Sequence, residues 1–279
     1  MIASVGLIGD PVAHSVSPAM QDAAFAAYGL PDRYQLWRTS ADTLAQRLDF
    51  LRAEGMRGAN VTLPHKTAVV TLMDSYDEVA AAVGALNTVV RQPDGRLHGQ
   101  NTDVPGFLQA LAVTGFTPQG RTAVLLGAGG AARSVAYGLI AAGVPSLTVV
   151  NRTPERAEEL LADMLATSAA DPYLRAVALN DPELESLLAA ADVLINATSV
   201  GLHGDELQIA PALITPRMLV VDLIYRTTPL LHAAAQRGAQ TQDGLEMLVQ
   251  QGALSFAAWT GYEPPVEVMR AAVQHALKE

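Results

Sequence analysis

The stretch Val124-Leu125-Leu126-Gly127-Ala128-Gly129-Gly130-Ala131-Ala132 decides the fold. Before it, Thr122–Leu126 reads as a buried strand. After it, Ala131–Ala142 reads as a helix, with Ala132, Val135, Ala136 and Leu139 spaced to share one face. A glycine-rich turn between a strand and a helix is the context a dinucleotide loop requires. Gly127 makes the tight turn, Gly129 lets backbone approach a pyrophosphate, and Ala132 lets the helix lie close to the strand. The N–H groups around Ala128, Gly130 and Ala131 then face the phosphates, where the helix dipole favours an anion.

The next strand, Leu147–Asn151, selects the cofactor. A site for NAD places Asp or Glu at this strand end to hold the ribose 2′-hydroxyl. Here the chain reads Asn151-Arg152-Thr153, with Arg156 following. The deciding position carries no acid, and two arginines stand ready for a 2′-phosphate. The spacing therefore predicts NADP (NADPH), with Asn151, Arg152, Thr153 and Arg156 at its adenosine end. Glu155 and Glu158 are expected to face water or to pair with an arginine.

Outward from this unit, strands and helices alternate. Expected strands are Ala3–Ile8, Tyr34–Trp37, Gly58–Leu63, Val193–Ala197 and Leu219–Leu223. Expected helices are Pro18–Tyr28, Thr43–Glu54, Val104–Thr114 and Pro154–Leu165. Ala85–Val90 and Arg96–Gly99 read as a hairpin around Pro93-Asp94-Gly95. The alternation predicts an α/β fold with parallel sheets. Two domains with a cleft between them are expected. One is an N-terminal α/β substrate domain of residues 1–103 plus 245–279, made discontinuous by a helical C-terminal part. The other is a Rossmann-type doubly wound domain of residues 104–244. Closure of the cleft is expected to turn near Asn101–Gly106 and Gly238–Leu245.

Half the residues are apolar and 16% are charged, so the chain can bury a core. The net charge of −10 argues against nucleic-acid and anionic-membrane partners, which need a basic face. It also means that any anionic ligand must be held by local donors. With no cysteine, disulfides and thiolate chemistry are excluded. The six histidines are scattered, so no metal is expected. The start MIASVGLIGD lacks the basic segment of a signal peptide. A cytoplasmic protein is expected, acting as a monomer or homodimer on a small molecule.

Of 18 cationic residues only Lys66 and Lys278 are lysine. Two readings of Lys66 stand side by side: a GC-rich coding bias, or a position that needs a proton-exchanging group, which arginine is not. Lys66 lies in one of three polar clusters: His14-Ser15-Val16-Ser17-Pro18, Asn60-Val61-Thr62-Leu63-Pro64-His65-Lys66, and Asn87-Thr88 with Gly99-Gln100-Asn101-Thr102-Asp103. Taken singly, Ser17-Pro18 also reads as a helix cap, Asn60 and Thr62 as a sheet edge, and Asp103 as the cap of the next helix.

Together the clusters resemble the shikimate dehydrogenase family. The matching stretches are His14–Pro18, Asn60–Lys66, Leu86–Thr88, Asn101–Asp103 with Gly106-Phe107, Gly127–Ala131, Asn151–Arg156, Asn196–Ser199, Asp222–Tyr225, and Asp243–Trp259 with Gln250-Gln251-Gly252. The resemblance implies NADPH-dependent reduction of 3-dehydroshikimate to shikimate, on the route to chorismate and the aromatic amino acids. It implies that Ser15 and Ser17 bind the substrate carboxylate. Asn60, Thr62, Asn87, Asp103 and Gln251 would surround the ring, with Tyr225 nearby. Lys66 and Asp103 would form the catalytic pair, and Thr198, Leu223 and Gly244 would join the cofactor site. Two departures stand out. Gln21-Asp22 replaces the usual His-Asn after Pro18, and the loop Arg226-Thr227-Thr228-Pro229 after Tyr225 runs short.

Two alternatives remain. Quinate/shikimate dehydrogenases with relaxed specificity often use NAD and carry an acid just after the strand-end arginine, where this chain has Thr153. Thr62 in place of serine also leans toward shikimate. From another class, a non-catalytic metabolite-sensing regulator would have lost the Lys66–Asp103 pair and gained a DNA-binding module.

Overall fold

The computed structural model describes residues 4–167, 171–201 and 209–278. Its elements in chain order begin with β1 (Ser4–Gly9), α1 (Ser17–Ala27), β2 (Arg33–Arg38), α2 (Leu44–Leu51) and β3 (Met56–Val61). There follow β4 (Ser75–Tyr76), α3 (Glu78–Val83), β5 (Thr88–Arg91), β6 (Leu97–Gln100), α4 (Asp103–Val113), β7 (Thr122–Leu126), α5 (Gly130–Ala141) and β8 (Ser146–Asn151). The rest are α6 (Pro154–Thr167), β9 (Tyr173–Ala178), α7 (Leu184–Ala190), β10 (Val193–Asn196), β11 (Leu219–Asp222), α8 (Pro229–Gln236), β12 (Gln240–Gln242), α9 (Leu245–Thr260) and α10 (Val266–Ala276). They form two compact units, one of residues up to Gly106 with those from Val249 onward, the other Phe107–Leu248.

In the first unit the strand order is β2-β1-β3-β5-β6-β4. β1 pairs in parallel with β2 and β3, but β3, β5 and β6 run antiparallel to one another. This sheet is mixed, and its antiparallel β5–β6 pair is the hairpin expected around Pro93-Asp94-Gly95. Gly95 takes φ +86° and donates its N–H to Gln92, so two strands are joined without a crossover. One face of the sheet buries Ile8, Trp37, Leu48, Val61, Leu86 and Val89. From the C-terminal segment, Phe256 lies against Phe25, and Trp259 donates its indole N–H to the Val89 carbonyl.

In the second unit all five pairings are parallel, in the order β12-β11-β10-β7-β8-β9. The chain starts at the centre with β7, winds outward through β8 and β9, then returns to the other side at β10. That reversal is the topological switch point of a doubly wound sheet, beside which dinucleotides bind. Alternation along β7 fills both faces: Ala123 and Leu125 join one apolar cluster with α5 and α6, while Val124 and Leu126 join another with α7 and α8.

The sequence reading lacks β4, α3, β9, α7, α8 and β12. The strands among them lie at sheet edges, and β12 is Gln-Thr-Gln, with no apolar rhythm to read. α8 did carry a start signal: Thr228 accepts the Leu231 N–H as its cap, with Pro229 opening the helix.

Candidate active site

In the first unit, β3 ends at Val61 and the chain turns at once. Thr62 donates its N–H to Ile8 and His65 donates to the Thr62 carbonyl. The buried His65 ring sits with Nε2 2.7 Å from the Thr39 carbonyl oxygen, and the Leu86 N–H reaches the Lys66 carbonyl. Lys66 is thus pinned on both sides while its ammonium points across to α4, where Nζ lies 2.6 Å from Oδ2 of Asp103. The side chains of the pair are 16% and 5% exposed, so water screens this contact little.

Asp103 opens α4. Asn101 accepts the Val104 N–H and donates to the Ala85 carbonyl, which secures the start of that helix. The other oxygen of Asp103 accepts from Nδ2 of Asn87 at 3.0 Å, and the same amide donates to Oε1 of Gln251 at 3.0 Å. Gln251 is thus joined to this cluster through its side-chain oxygen. Gly106 explains how it gets there. A Cβ at Gly106 would stand 2.8 Å from both Cβ and N of Gln251, so only glycine lets α4 and α9 approach so closely.

The two serines lie at the start of α1. The cap reading of Ser17 does not hold: Val16 takes the cap position, and no side chain caps the helix. The Ser15 hydroxyl instead donates to Ser17 Oγ at 3.1 Å and accepts the Ser17 N–H. Tyr34 is wholly buried, and that burial pushes its phenol well above the usual tyrosine range. Its hydroxyl donates to Oδ1 of Asn60 at 2.8 Å.

Asn60 is 6% exposed, and its Nδ2 lies near the Asn87 carbonyl, Thr88 Oγ1 and Ser255 Oγ. Both ends of its amide are thus engaged inside the protein. Tyr34, Thr88, Thr102 and Ser255 complete this buried polar layer; Thr88 and Thr102 stood in a polar cluster without a role of their own, and Tyr34 and Ser255 were missed from the sequence. Ser255 had a faint signal: it stands one helical turn after Gln251 and bonds that residue's carbonyl. Thr62 is half-buried at the end of β3, leaving its side chain partly open.

In the second unit, Gly127 takes φ +105°, and a Cβ there would stand 3.0 Å from Cγ2 of Thr198. Gly129 is different. Its backbone is extended, and nothing lies within 4 Å of where its Cβ would be. No protein contact requires glycine at 129, whereas a ligand lying close against the backbone would. At the end of β8, the Asn151 amide donates to the Thr153 carbonyl, which turns the chain into α6. Arg152 and Arg156 are exposed there and make no ion pair with a described residue. Glu155 and Glu158 are exposed on α6.

The loops after β10 and β11 carry the remaining expected residues. Gly244 donates its N–H to the Ile224 carbonyl, and a Cβ on it would stand 2.0 Å from the Leu223 carbonyl oxygen. Tyr225 is half-buried, and burial pushes its phenol up. Among the described residues, no cluster of three or more His, Asp or Glu is placed to hold a metal ion. Nor is any helix long and apolar enough to cross a membrane.

A doubly wound parallel sheet with a phosphate-type glycine turn, together with a second α/β unit carrying a buried lysine–aspartate pair, defines a Rossmann-type oxidoreductase with its own substrate-binding domain. Similarity to known proteins narrows this class. Residues 7–89 match the shikimate dehydrogenase substrate binding domain, residues 110–223 match shikimate / quinate 5-dehydrogenase, and residues 244–274 match the shikimate 5'-dehydrogenase C-terminal domain. A relative from Moorella thermoacetica, shikimate dehydrogenase (NADP(+)), is 44% identical over 98% of this chain and 93% of its own. Among solved structures, shikimate 5-dehydrogenase of Thermus thermophilus in complex with NADP(H) and shikimate is 41% identical. Its TM-score is 0.86, covering 98% of this chain and 99% of that one. Quinate dehydrogenase of Corynebacterium glutamicum in complex with NAD is 33% identical, with a TM-score of 0.90 over 98% and 99% of the two chains. The chain belongs to the shikimate dehydrogenase family.

Proposed function

We propose that this chain catalyses the reversible NADPH-dependent reduction of 3-dehydroshikimate to shikimate. The observation that carries the reading is the 2.6 Å contact between Lys66 Nζ and Asp103 Oδ2. NADPH, when bound, supplies the hydride. The ketone oxygen then becomes an alkoxide and must gain a proton. The Lys66 ammonium can polarise the carbonyl, donate that proton and recover one from water; in the oxidative direction the neutral amine accepts it. Asp103, itself oriented by Asn87, holds the ammonium in line.

Ser15 and Ser17 hold the substrate carboxylate through their hydroxyls. Thr62, Asn87 and Gln251 surround the ring, and Tyr225 is a further substrate residue. In that unit, residues Gly127 to Ala131 receive the pyrophosphate, and Arg152 with Arg156 takes the 2′-phosphate. Both arginines are exposed and pair with no acid among the described residues, which supports NADP over NAD. The same local donors answer the question of how a chain at −10 holds two anionic ligands. The proposed setting is the cytoplasm, on the route to the aromatic amino acids, as a monomer or homodimer.

The likeness to a quinate dehydrogenase keeps a second substrate in view. Initial rates with shikimate and quinate, each with NADP and NAD, separate the two. Shikimate with NADP is expected to be the best pair; quinate with NAD as the best pair would overturn the proposal.

A further inference from the structure

Asp222 ends β11, is fully buried, and makes no ion pair with a described residue. Three donors from separate parts of the chain converge on its carboxylate. Asn196 Nδ2 and the Ile224 N–H both reach Oδ1 at 3.1 Å, and the Thr228 hydroxyl reaches Oδ2 at 2.8 Å. Asn196 is its register partner on β10. That asparagine also accepts the N–H and hydroxyl of Thr198 and donates to the Val200 carbonyl. One buried acid thus ties together the loop after β10, the loop after β11 and the start of α8.

These loops have a specific place in the sheet. In a doubly wound fold the adenosine ribose lies at the end of the second strand and the pyrophosphate at the first turn. Here those are the ends of β8 and β7. The remaining half of a dinucleotide then crosses the switch point to the ends of β10 and β11. Thr198 abuts Gly127, and the Leu223 carbonyl is pressed against Gly244, so each of these loops packs on a glycine of the proposed cofactor site.

We propose that Asp222, acting through Asn196 and Thr228, is a positioning residue that holds the nicotinamide end of the cofactor site. This rests on the cofactor reading above. It also explains how the shortened loop after Tyr225 is closed: Thr228 both caps α8 and bonds Asp222. The role is one of geometry, not charge: the described hydrogen-bond partners of Asp222 are neutral. Burial pushes the Asp222 carboxyl up, which also disfavours its charged form, and the Asp243 carboxylate nearby opposes its ionisation. An asparagine can keep its oxygen at the Oδ1 position for Asn196 and Ile224. Its NH2 then faces Thr228, whose hydroxyl can turn to accept. An alanine keeps neither.

The test compares Asp222→Ala, Asp222→Asn and the parent. It uses steady-state kinetics with NADPH and 3-dehydroshikimate, and titration with adenosine 2′,5′-bisphosphate as a probe of the far half of the site. Asp222→Ala is expected to lose on the order of 10-fold or more in kcat, since misplacement of about 1 Å is that costly, while binding the probe like the parent. Asp222→Asn is expected to recover most of the loss. The proposal is overturned if Asp222→Ala keeps kcat within about twofold, if it loses probe binding in parallel, or if Asp222→Asn is as poor as alanine. Should Asp222→Ala fail to fold, Thr228→Val removes the bond to Oδ2 together with the cap on the Leu231 N–H, and leaves Asn196 and Ile224 on Oδ1. It should lower kcat about threefold or more with the probe unaffected, and an unchanged kcat overturns the proposal. A parent protein that neither reduces 3-dehydroshikimate nor binds the probe would instead refute the function proposed above.

Discussion

Replacing Lys66 with alanine should have two separable effects. The first is on stability. Asp103 would keep only the Asn87 donor at 3.0 Å, with its side chain 5% exposed. Removing one partner of a buried ion pair costs about 3–5 kcal/mol, chiefly because the other charge is stranded. Lys66 is itself 16% exposed and the Asn87 bond survives, so the low end applies, about 3 kcal/mol. With about 2–4 °C per kcal/mol for chains of roughly this size, Tm should fall by about 6–12 °C. The second effect is on chemistry: kcat should fall on the order of 10²-fold or more, with KM changed far less. Adding Asp103→Asn separates the two. The double variant no longer strands a charge, so it should regain most of the lost Tm while staying inactive. Thermal unfolding followed by circular dichroism, alongside the absorbance change on NADPH oxidation, reads both. A single variant with near-parent turnover would remove Lys66 from proton transfer. A double variant that melts as low as the single would show that the Asp103 charge was never stranded.

At the adenosine end, Arg152→Asp should weaken NADP much more than NAD in equilibrium titration, and equal losses would mean the strand end has been misread. Gly106→Ala drives a Cβ to 2.8 Å from Gln251, so it should cost about 1–3 kcal/mol by overpacking and depress kcat as Gln251 moves; unchanged melting would contradict the close approach. The pH dependence of Asp222→Asn has a definite sign. Because burial raises the carboxyl's pKa in the folded protein, the folded state holds that proton more tightly than the unfolded chain. The parent therefore loses stability as pH rises from the unfolded to the folded pKa. Denaturant unfolding across that range should show this falling component in the parent and not in the asparagine variant.

What was legible depended on whether a residue's reason lay nearby in the chain. The turn at Gly127 and the arginines after β8 are local patterns, so their place in a doubly wound sheet followed from strand, loop and helix in sequence. The pairing of Lys66 with Asp103 came from resemblance alone, because the contact spans 37 positions and no periodicity encodes it. The floor under the site was not legible. Tyr34, Asn60, Thr88 and Ser255 come from four separate elements, and each is an ordinary polar residue until the fold places them together. The antiparallel pairings were half-visible, since the Asp-Gly turn announced a hairpin but not that β5 would dock on β3.

The serine end of that buried layer has a direction. Each hydroxyl has one proton. Ser15 directs its proton at Ser17, and Tyr34 directs its own at Asn60. Both protons are thus engaged inside the protein. An anion held by the two serines, as proposed above, would draw the Ser15 proton round to itself while the heavy atoms stay still. The site with that anion and the site without it would then differ chiefly in where hydrogens point. Neutron diffraction, or the hydroxyl proton resonances of Ser15 and Ser17, would register occupancy that an electron-density map of the same residues passes over.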